Sequence, residues 1–253
     1  MARVLAVANQ KGGVGKTTTS VNLAAGLAQA GRRVLLVDLD PQGNATMGSG
    51  VDKRKLARTV YHVLLGLGEA AQIRVRAESG YDLLPANREL AGAEVELVEL
   101  PNREQRLRAA LERLAGEYDY VLIDCPPSLS LLTVNAFAAA EQVLIPMQCE
   151  YYALEGLSDL VDTIRRVRAK LNPRLEIAGL LRTMFDPRNT LAHQVSQQLE
   201  EHFGSKVYRT LVPRNVRLAE APSYGVPAVL WDRASKGAQA YVALTEEILK
   251  GAS

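Results

Sequence analysis

The stretch Asn9-Gln10-Lys11-Gly12-Gly13-Val14-Gly15-Lys16-Thr17-Thr18 follows a short aliphatic run, Arg3 to Ala8, and opens a helical pattern, Thr17 to Ala30, that Gly31 ends. Strand, glycine-rich loop and helix in that order read as a phosphate-binding loop. Glycines matter here because backbone amides must approach phosphate oxygens closely and point inward, where side chains would obstruct them. Lys16 supplies positive charge to β and γ phosphates, Thr17 offers a hydroxyl to Mg2+, and the helix N-terminus adds its dipole. The plain alternative is a glycine turn that only caps a helix, and the Gly-Lys-Thr sequence in this setting speaks against it. One position departs from the usual pattern: the strict GxxxxGK[ST] form has glycine where Gln10 stands.

Working outward, Arg33 to Leu39 is a continuous apolar run stopped by Asp40-Pro41-Gln42-Gly43, the pattern of a parallel strand covered on both faces. Tyr120 to Ile123 and Val143 to Met147 repeat it, with a helix expected from Leu131 to Ala140 between them. Further strands are expected at Tyr81 to Leu84, Ile177 to Thr183 and Val207 to Val212. Helices are expected near Asn102 to Gly116, Leu154 to Leu171, Leu191 to Phe203 and Ala234 to Lys250. This alternation predicts an α/β fold, a single doubly wound, mostly parallel sheet with helices on both faces and ligands at the C-terminal strand ends. No Gly, Pro or Ser-rich linker divides the chain, so one domain is expected over residues 1–253. Gly43 to Glu78 is the least periodic part, suited to surface helices or mobile segments.

The 253 residues are 47% apolar and 23% charged, a globular composition that excludes disordered, collagen-like and fibrous classes. The net charge of +2 hides an asymmetry. Residues 1–160 carry 16 Lys+Arg against 19 Asp+Glu, and residues 161–253 carry 14 against 9. A polyanion would therefore meet the C-terminal third. Cys125 and Cys149 form no CxxC pair, which argues against a disulfide framework or self-contained zinc site and fits a reducing cytosol. The apolar start is short and lacks a cleavage pattern, so it reads as a buried strand. No apolar run reaches the roughly 18 to 20 residues needed to span a bilayer, so no membrane-spanning role is expected.

Lys11-Gly-Gly-Val-Gly-Lys16-Thr resembles the deviant Walker A loop of the ParA/MinD family of P-loop ATPases, in which the first lysine reaches into the partner subunit's nucleotide site. Val34-Leu-Leu-Val-Asp38-Leu-Asp40-Pro-Gln-Gly-Asn44 resembles the family's second nucleotide motif, whose final aspartate, here Asp40, positions the attacking water. Tyr120-Val-Leu-Ile-Asp124-Cys-Pro126-Pro127 resembles its Walker B strand, with Asp124 placed to hold Mg2+ through water. Asp38 either orients the loop or Mg2+ shell, or caps the next helix, and both readings stay open. The strings Glu150-Tyr-Tyr-Ala-Leu-Glu-Gly-Leu and Val212-Pro-Arg-Asn-Val-Arg-Leu-Ala-Glu-Ala-Pro-Ser extend the resemblance along nearly the whole chain, closest to the ParA group often called Soj.

That resemblance implies an ATPase that binds ATP and Mg2+ through Lys11, Gly12, Gly13, Val14, Gly15, Lys16, Thr17 and Thr18, with Lys11, Lys16 and Asp40 serving catalysis. It implies an ATP-dependent homodimer that binds double-stranded DNA without sequence preference. It further implies that a ParB-type centromere-binding partner stimulates hydrolysis, which would return monomers and drive chromosome or plasmid segregation in the cytoplasm, on the nucleoid. Pro213 and Asn215 lie where the family closes over adenine, although Asn215 could equally cap a short helix. Arg188 and Arg217 fall where the family places DNA contacts. Arg214 joins them as a candidate, with Lys206, Arg209, Arg233 and Lys236 as additions.

Two rivals share the fold. A MinD-like membrane-associated ATPase would need a C-terminal amphipathic helix rich in Lys/Arg, whereas Ala234 to Lys250 carries Glu246 and Glu247 against Lys236 and Lys250. An iron–sulfur ATPase of the nitrogenase iron-protein type would share a cluster through cysteines, and Cys125 and Cys149 read instead as buried thiols. His62, His193 and His202 have no metal-ligand spacing and receive no chemical role.

Overall fold

Val34–Asp38 and Tyr120–Asp124 are buried at every position, as strands apolar on both faces are when helices cover both sides. The computed structural model describes residues 2–114, 116–151 and 153–251. Ala115, in the expected helix Asn102 to Gly116, and Tyr152, in the quoted string from Glu150, lie outside the described residues. The strands are β1 (Arg3–Val7), β2 (Val34–Asp38), β3 (Val75–Arg76), β4 (Asp82–Leu84), β5 (Tyr120–Asp124), β6 (Gln142–Gln148), β7 (Glu176–Phe185) and β8 (Val207–Pro213). The first helices are α1 (Lys16–Gln29), α2 (Asn44–Gly48), α3 (Val60–Leu65), α4 (Ala70–Ile73), α5 (Leu90–Glu96) and α6 (Arg106–Glu112). They are followed by α7 (Leu131–Ala139), α8 (Ala153–Lys170), α9 (Thr190–Phe203), α10 (Val216–Glu220), α11 (Ala228–Trp231) and α12 (Lys236–Lys250).

The strands form one sheet in the order β3-β4-β2-β5-β1-β6-β7-β8, parallel throughout except where β3 meets β4. The two-residue period of a strand divides its side chains between two layers. Ala6, Leu35 and Val37 pack with Leu107, Phe137 and Leu160 of α6, α7 and α8. Leu5, Val34 and Leu36 pack with Leu23 and Leu27 of α1 and with Tyr241 and Leu244 of α12. The doubly wound sheet expected from the alternating runs is thus present.

Because β1 lies between β5 and β6, the chain passes to β2 on one side and later to β6 on the other. Such a reversal of strand order opens a crevice at the C-terminal strand ends. The register sharpens this: Val7 pairs with Asp124, and Asp124 pairs with Asp38. The loops after β1, β2 and β5 therefore leave the sheet at one level.

The structure departs from the sequence expectations at weakly periodic segments. Gly43 to Glu78 holds α2, α3, α4 and the edge strand β3, two residues long and too short to read as a run. The expected helix from Asn102 starts as a 3-10 turn, Arg103–Gln105, because Asn102 sits in the left-handed region at φ 53°, and the α-helix begins at Arg106. The last helix starts at Lys236, where the Ser235 side chain accepts from Ala238 N–H as an N-cap. His62 also finds a local role: its Nδ1 accepts from Thr59 N–H at 3.2 Å, satisfying the amide of the residue that precedes α3.

Candidate nucleotide site and the basic face beside it

The loop after β1 is shaped by Gly13 and Gly15, whose φ values of 75° and 88° lie in the region that favours glycine. Gly15 leads directly into α1. Asn9 staples the loop's entry, donating to Pro146 O at 2.8 Å while its Oδ1 accepts from Lys11 N–H at 3.0 Å. Thr183 of β7 holds the far side through a 2.8 Å bond to Val14 O. Lys16, 7% exposed, turns its ammonium back onto the loop and donates to Lys11 O at 2.8 Å. Burial pulls its pKa below the ordinary lysine value, and the nearby Asp124 and Asp40 carboxylates oppose that fall.

Asp124 ends β5 fully buried. Thr17 donates to its Oδ2 at 2.8 Å and Ser20 to its Oδ1 at 2.9 Å. Burial, and after it the neighbouring Asp38, push its carboxyl well above the usual carboxylate range. Asp38 is also buried and raised by burial, yet its oxygens are taken up within its own turn. Oδ1 accepts from Asp40 N–H at 3.2 Å, and Oδ2 accepts from the Thr46 amide and hydroxyl at 2.8 and 2.7 Å. Asp38 thus anchors the Asp40 turn and, through Thr46, the first turn of α2. Asp40 sits 8% exposed, with Oδ1 accepting from Gln42 N–H at 2.9 Å.

The residues fit a nucleoside triphosphate with a hard divalent cation. The loop offers left-handed glycines, a buried ammonium and the buried Gln10 Nε2, which has no hydrogen-bond partner among the described residues. The Thr17 hydroxyl and Asp124 carboxylate together form an all-oxygen donor set suited to Mg2+. Lys11 stands apart from this centre: its ammonium pairs with Glu150, and both side chains are about half exposed, at 48% and 49%. Gly12 is open, since a Cβ built there would meet nothing within 4 Å.

A cavity of about 260 Å3 adjoins the loop. Thr17, Thr18 and Asn22 line one side, and Leu218, Pro222 and Pro227 the other. Pro213 and Asn215 are not among its walls. Pro213 ends β8, and Asn215 caps α10 by accepting from Arg217 N–H at 3.0 Å, the capping alternative left open by the sequence.

Arg188 and Arg214 follow the ends of neighbouring strands, because Phe185 of β7 pairs with Pro213 of β8. Arg188 holds Asp186 at 2.9 Å and brings that carboxyl down to about 2, with Arg214 adding to the effect. Arg217 is the second residue of α10. All three are exposed; Arg188 and Arg214 follow the C-terminal ends of β7 and β8, as the phosphate loop follows the C-terminal end of β1.

The features of the rivals lie inside the protein. Tyr241, Leu244 and Ile248 of α12 are buried in the core, and Glu247 accepts from the Arg209 and Thr210 amides of β8, so that apolar face is already covered. No helix among the described residues is long and apolar enough to cross a membrane. Cys125 and Cys149 are both buried free thiols. Burial raises the pKa of each, that of Cys149 to about 11.

Sequence reasoning did not single out Ser20, Thr46, Thr183 or Glu150. Ser20 carried a usable signal, lying three residues after Thr17 and hence on the same helix face. Thr183 and Glu150 contact the loop across 169 and 139 residues of chain, with no local signal.

A family model described as an AAA domain matches residues 2–177. The chain is 57% identical over 247 residues to the chromosome-partitioning ATPase Soj of Thermus thermophilus, covering 98% of this chain and 95% of the relative. It is 53% identical over 250 residues to the chromosome partitioning protein ParA of Caulobacter vibrioides, covering 98% and 94%. A crystal structure named cobyrinic acid a,c-diamide synthase from Mycobacterium smegmatis, with bound ATP analogue and magnesium, superimposes with a TM-score of 0.87 at 43% identity, covering 99% of this chain and 95% of that one. With a phosphate loop, two strand-end aspartates and this similarity over nearly its full length, the chain belongs to the ParA/Soj family of chromosome-partitioning ATPases, P-loop enzymes that act on ATP with Mg2+.

Proposed function

We propose that two copies of this chain close around two ATP molecules and that the closed dimer binds double-stranded DNA without sequence preference. A ParB-type centromere-binding partner then stimulates hydrolysis, and the resulting monomers leave the DNA. Repetition of this cycle moves chromosome or plasmid cargo, with the protein cytoplasmic and nucleoid-associated and residues 1–253 acting as one ATPase unit. The observation that carries the reading is the shared level of the β1, β2 and β5 ends, which gathers Lys16, Asp40 and the Thr17–Asp124 pair at one loop.

The chemistry follows from that gathering. Phosphoryl transfer depends on positioning and charge neutralisation, so no side-chain nucleophile is required. Loop amides and Lys16 bind the β and γ phosphates, the ammonium exchanging Lys11 O for phosphate oxygens. Asp40, held by its Gln42 bond and by the Asp38 anchor, aligns the attacking water. Lys11 leaves Glu150 and reaches the nucleotide site of the partner subunit, where it offsets charge growing on the transferred group. Thr17 and, through water, Asp124 would hold Mg2+, which supplies further neutralisation of the phosphate oxygens.

Gly12→Val tests the dimer. Open space around Gly12 in the protomer means that the valine is tolerated there, whereas a close twofold approach would not accommodate it. The expected result is ATP binding without ATP-dependent dimerisation in light scattering; a variant that dimerises normally contradicts the proposed seam.

Arg188→Ala tests the DNA face. Loss of a phosphate contact is expected to weaken binding equally on unrelated duplexes and to lower the salt slope by roughly one unit per contact, two for a symmetric dimer. Unchanged retention across a salt series would move the face toward Lys206, Arg209 or Lys236.

A further inference from the structure

Arg217 is the most constrained of the three candidate arginines. Its Nη1 lies 2.9 Å from Glu220 Oε2 and its Nε 3.2 Å from Asp232 Oδ2. Its guanidinium carbon stands 5.6 Å from the centre of the Trp231 ring. Trp231 stacks in turn on Tyr224, with ring centres 4.7 Å apart and planes 24° apart. Arg188 has none of this support: its partner Asp186 is two residues away, and its side chain is 88% exposed. Arg217 is tied instead to the C-terminal end of α11, and its side chain is 53% exposed.

We propose that Trp231, backed by Tyr224, is the positioning residue of Arg217, and that Glu220 and Asp232 hold the guanidinium edge that a DNA phosphate would otherwise take. This inference rests on the reading of Arg217 as a DNA contact. A guanidinium held over an indole face keeps the N–H groups of its own edge available to carboxylate or phosphate oxygens, which they meet in the same geometry. The aromatic pair therefore limits the orientations Arg217 must lose on binding. The two acids act in the other direction, competing for the same N–H groups and repelling an approaching phosphate. Binding becomes an exchange of oxygens on a cation already in place.

The surroundings support an interaction face. Tyr224, within the aromatic pair, and Val216, next to Arg217 on α10, are 63% and 69% exposed although both are large and apolar. Trp231 is the chain's one tryptophan, so its emission reports this place alone.

The test is retention of the full-length protein with Mg-ATP on unrelated duplexes across a salt series, with dimerisation read in parallel by light scattering. Trp231→Ala is expected to weaken retention about two- to fivefold in the wild-type background and to add nothing in an Arg217→Ala background. Trp231→Phe is expected to restore most of the loss. Asp232→Asn is expected to tighten retention about two- to fivefold, again only when Arg217 is present. Duplex addition is expected to shift Trp231 emission in the wild type and not in Arg217→Ala. Equal losses from Trp231→Ala in both backgrounds, or an Asp232→Asn variant that binds no more tightly than wild type, would overturn the inference. Wild-type retention by Arg217→Ala would instead overturn the DNA reading on which it rests.

Discussion

Asp40→Ala is expected to bind Mg-ATP and to hydrolyse it at least about a hundredfold more slowly, so that the ATP dimer accumulates. Three features carry this expectation. Asp40 follows β2 by two residues, the last residue of that strand, Asp38, pairs with Asp124, and the Asp38 carboxylate holds the Asp40 turn. It is nearly buried, and its charge acts on Lys16, the residue proposed to bind the γ phosphate. One of its oxygens is fixed by Gln42 N–H, which limits the rotation of the carboxylate. Asp40→Asn separates chemistry from structure, because an amide oxygen can keep the Gln42 bond while losing the charge. Both variants are expected to be slow, with nucleotide affinity preserved. Hydrolysis by Asp40→Ala at the wild-type rate would end the assignment.

Lys16→Ala is expected to fail earlier, at nucleotide binding. A charge-assisted hydrogen bond contributes about 1.5–3 kcal/mol, so loss of one such contact to phosphate predicts roughly a ten- to 150-fold weaker affinity for ATP. The penalty has a second source: Lys16 is a buried cation on which the Asp124 and Asp40 carboxylates act, and the substitution removes that charge from beside them. Equilibrium binding of a fluorescent ATP analogue reads the loss directly. An affinity unchanged by the substitution would mean that Lys16 does not reach the phosphates. The two variants are thus separable: Asp40→Ala keeps ATP and stalls, whereas Lys16→Ala does not retain it.

The parts of the site legible in the sequence are those whose chemistry is local. Gly13, Gly15, Lys16 and Thr17 announce a loop because backbone geometry and helix entry constrain neighbours a few residues apart. Asp40 and Asp124 are legible because each stands where an apolar run stops. What escaped reading is set by contacts across the fold. The Lys11–Glu150 pair, the Thr183 bond to the loop and the Arg217–Asp232 pair join segments whose proximity only the sheet order creates. Thr46 is intermediate, since its eight-residue separation from Asp38 spans a turn and a short helix with no periodic signal. Helices α10 and α11, of five and four residues, are too short to show a helical period at all. Asn215 shows how local chemistry can carry two meanings: the residue that could contact a base is engaged as an N-cap.

The Lys11 contact also bears on the order of events. In the protomer its ammonium is engaged by Glu150, so reaching a second subunit exchanges one anion for another. An exposed pair of this kind contributes little to stability, about 0–1 kcal/mol, and is readily broken. In the proposed dimer, ATP in the partner's site would offer a larger negative charge and so link nucleotide occupancy to dimer closure.

The central claim is that ATP converts this protein into a DNA-binding dimer, and it is tested most directly by presenting the wild-type chain with unrelated duplexes and with anionic lipid vesicles in parallel. Retention is measured with Mg-ATP, with Mg-ADP and without nucleotide. The account predicts retention on every duplex with Mg-ATP, little with ADP or without nucleotide, and none on vesicles. ATP-dependent binding to vesicles with indifference to DNA would contradict it and assign the same ATPase machinery to a membrane surface.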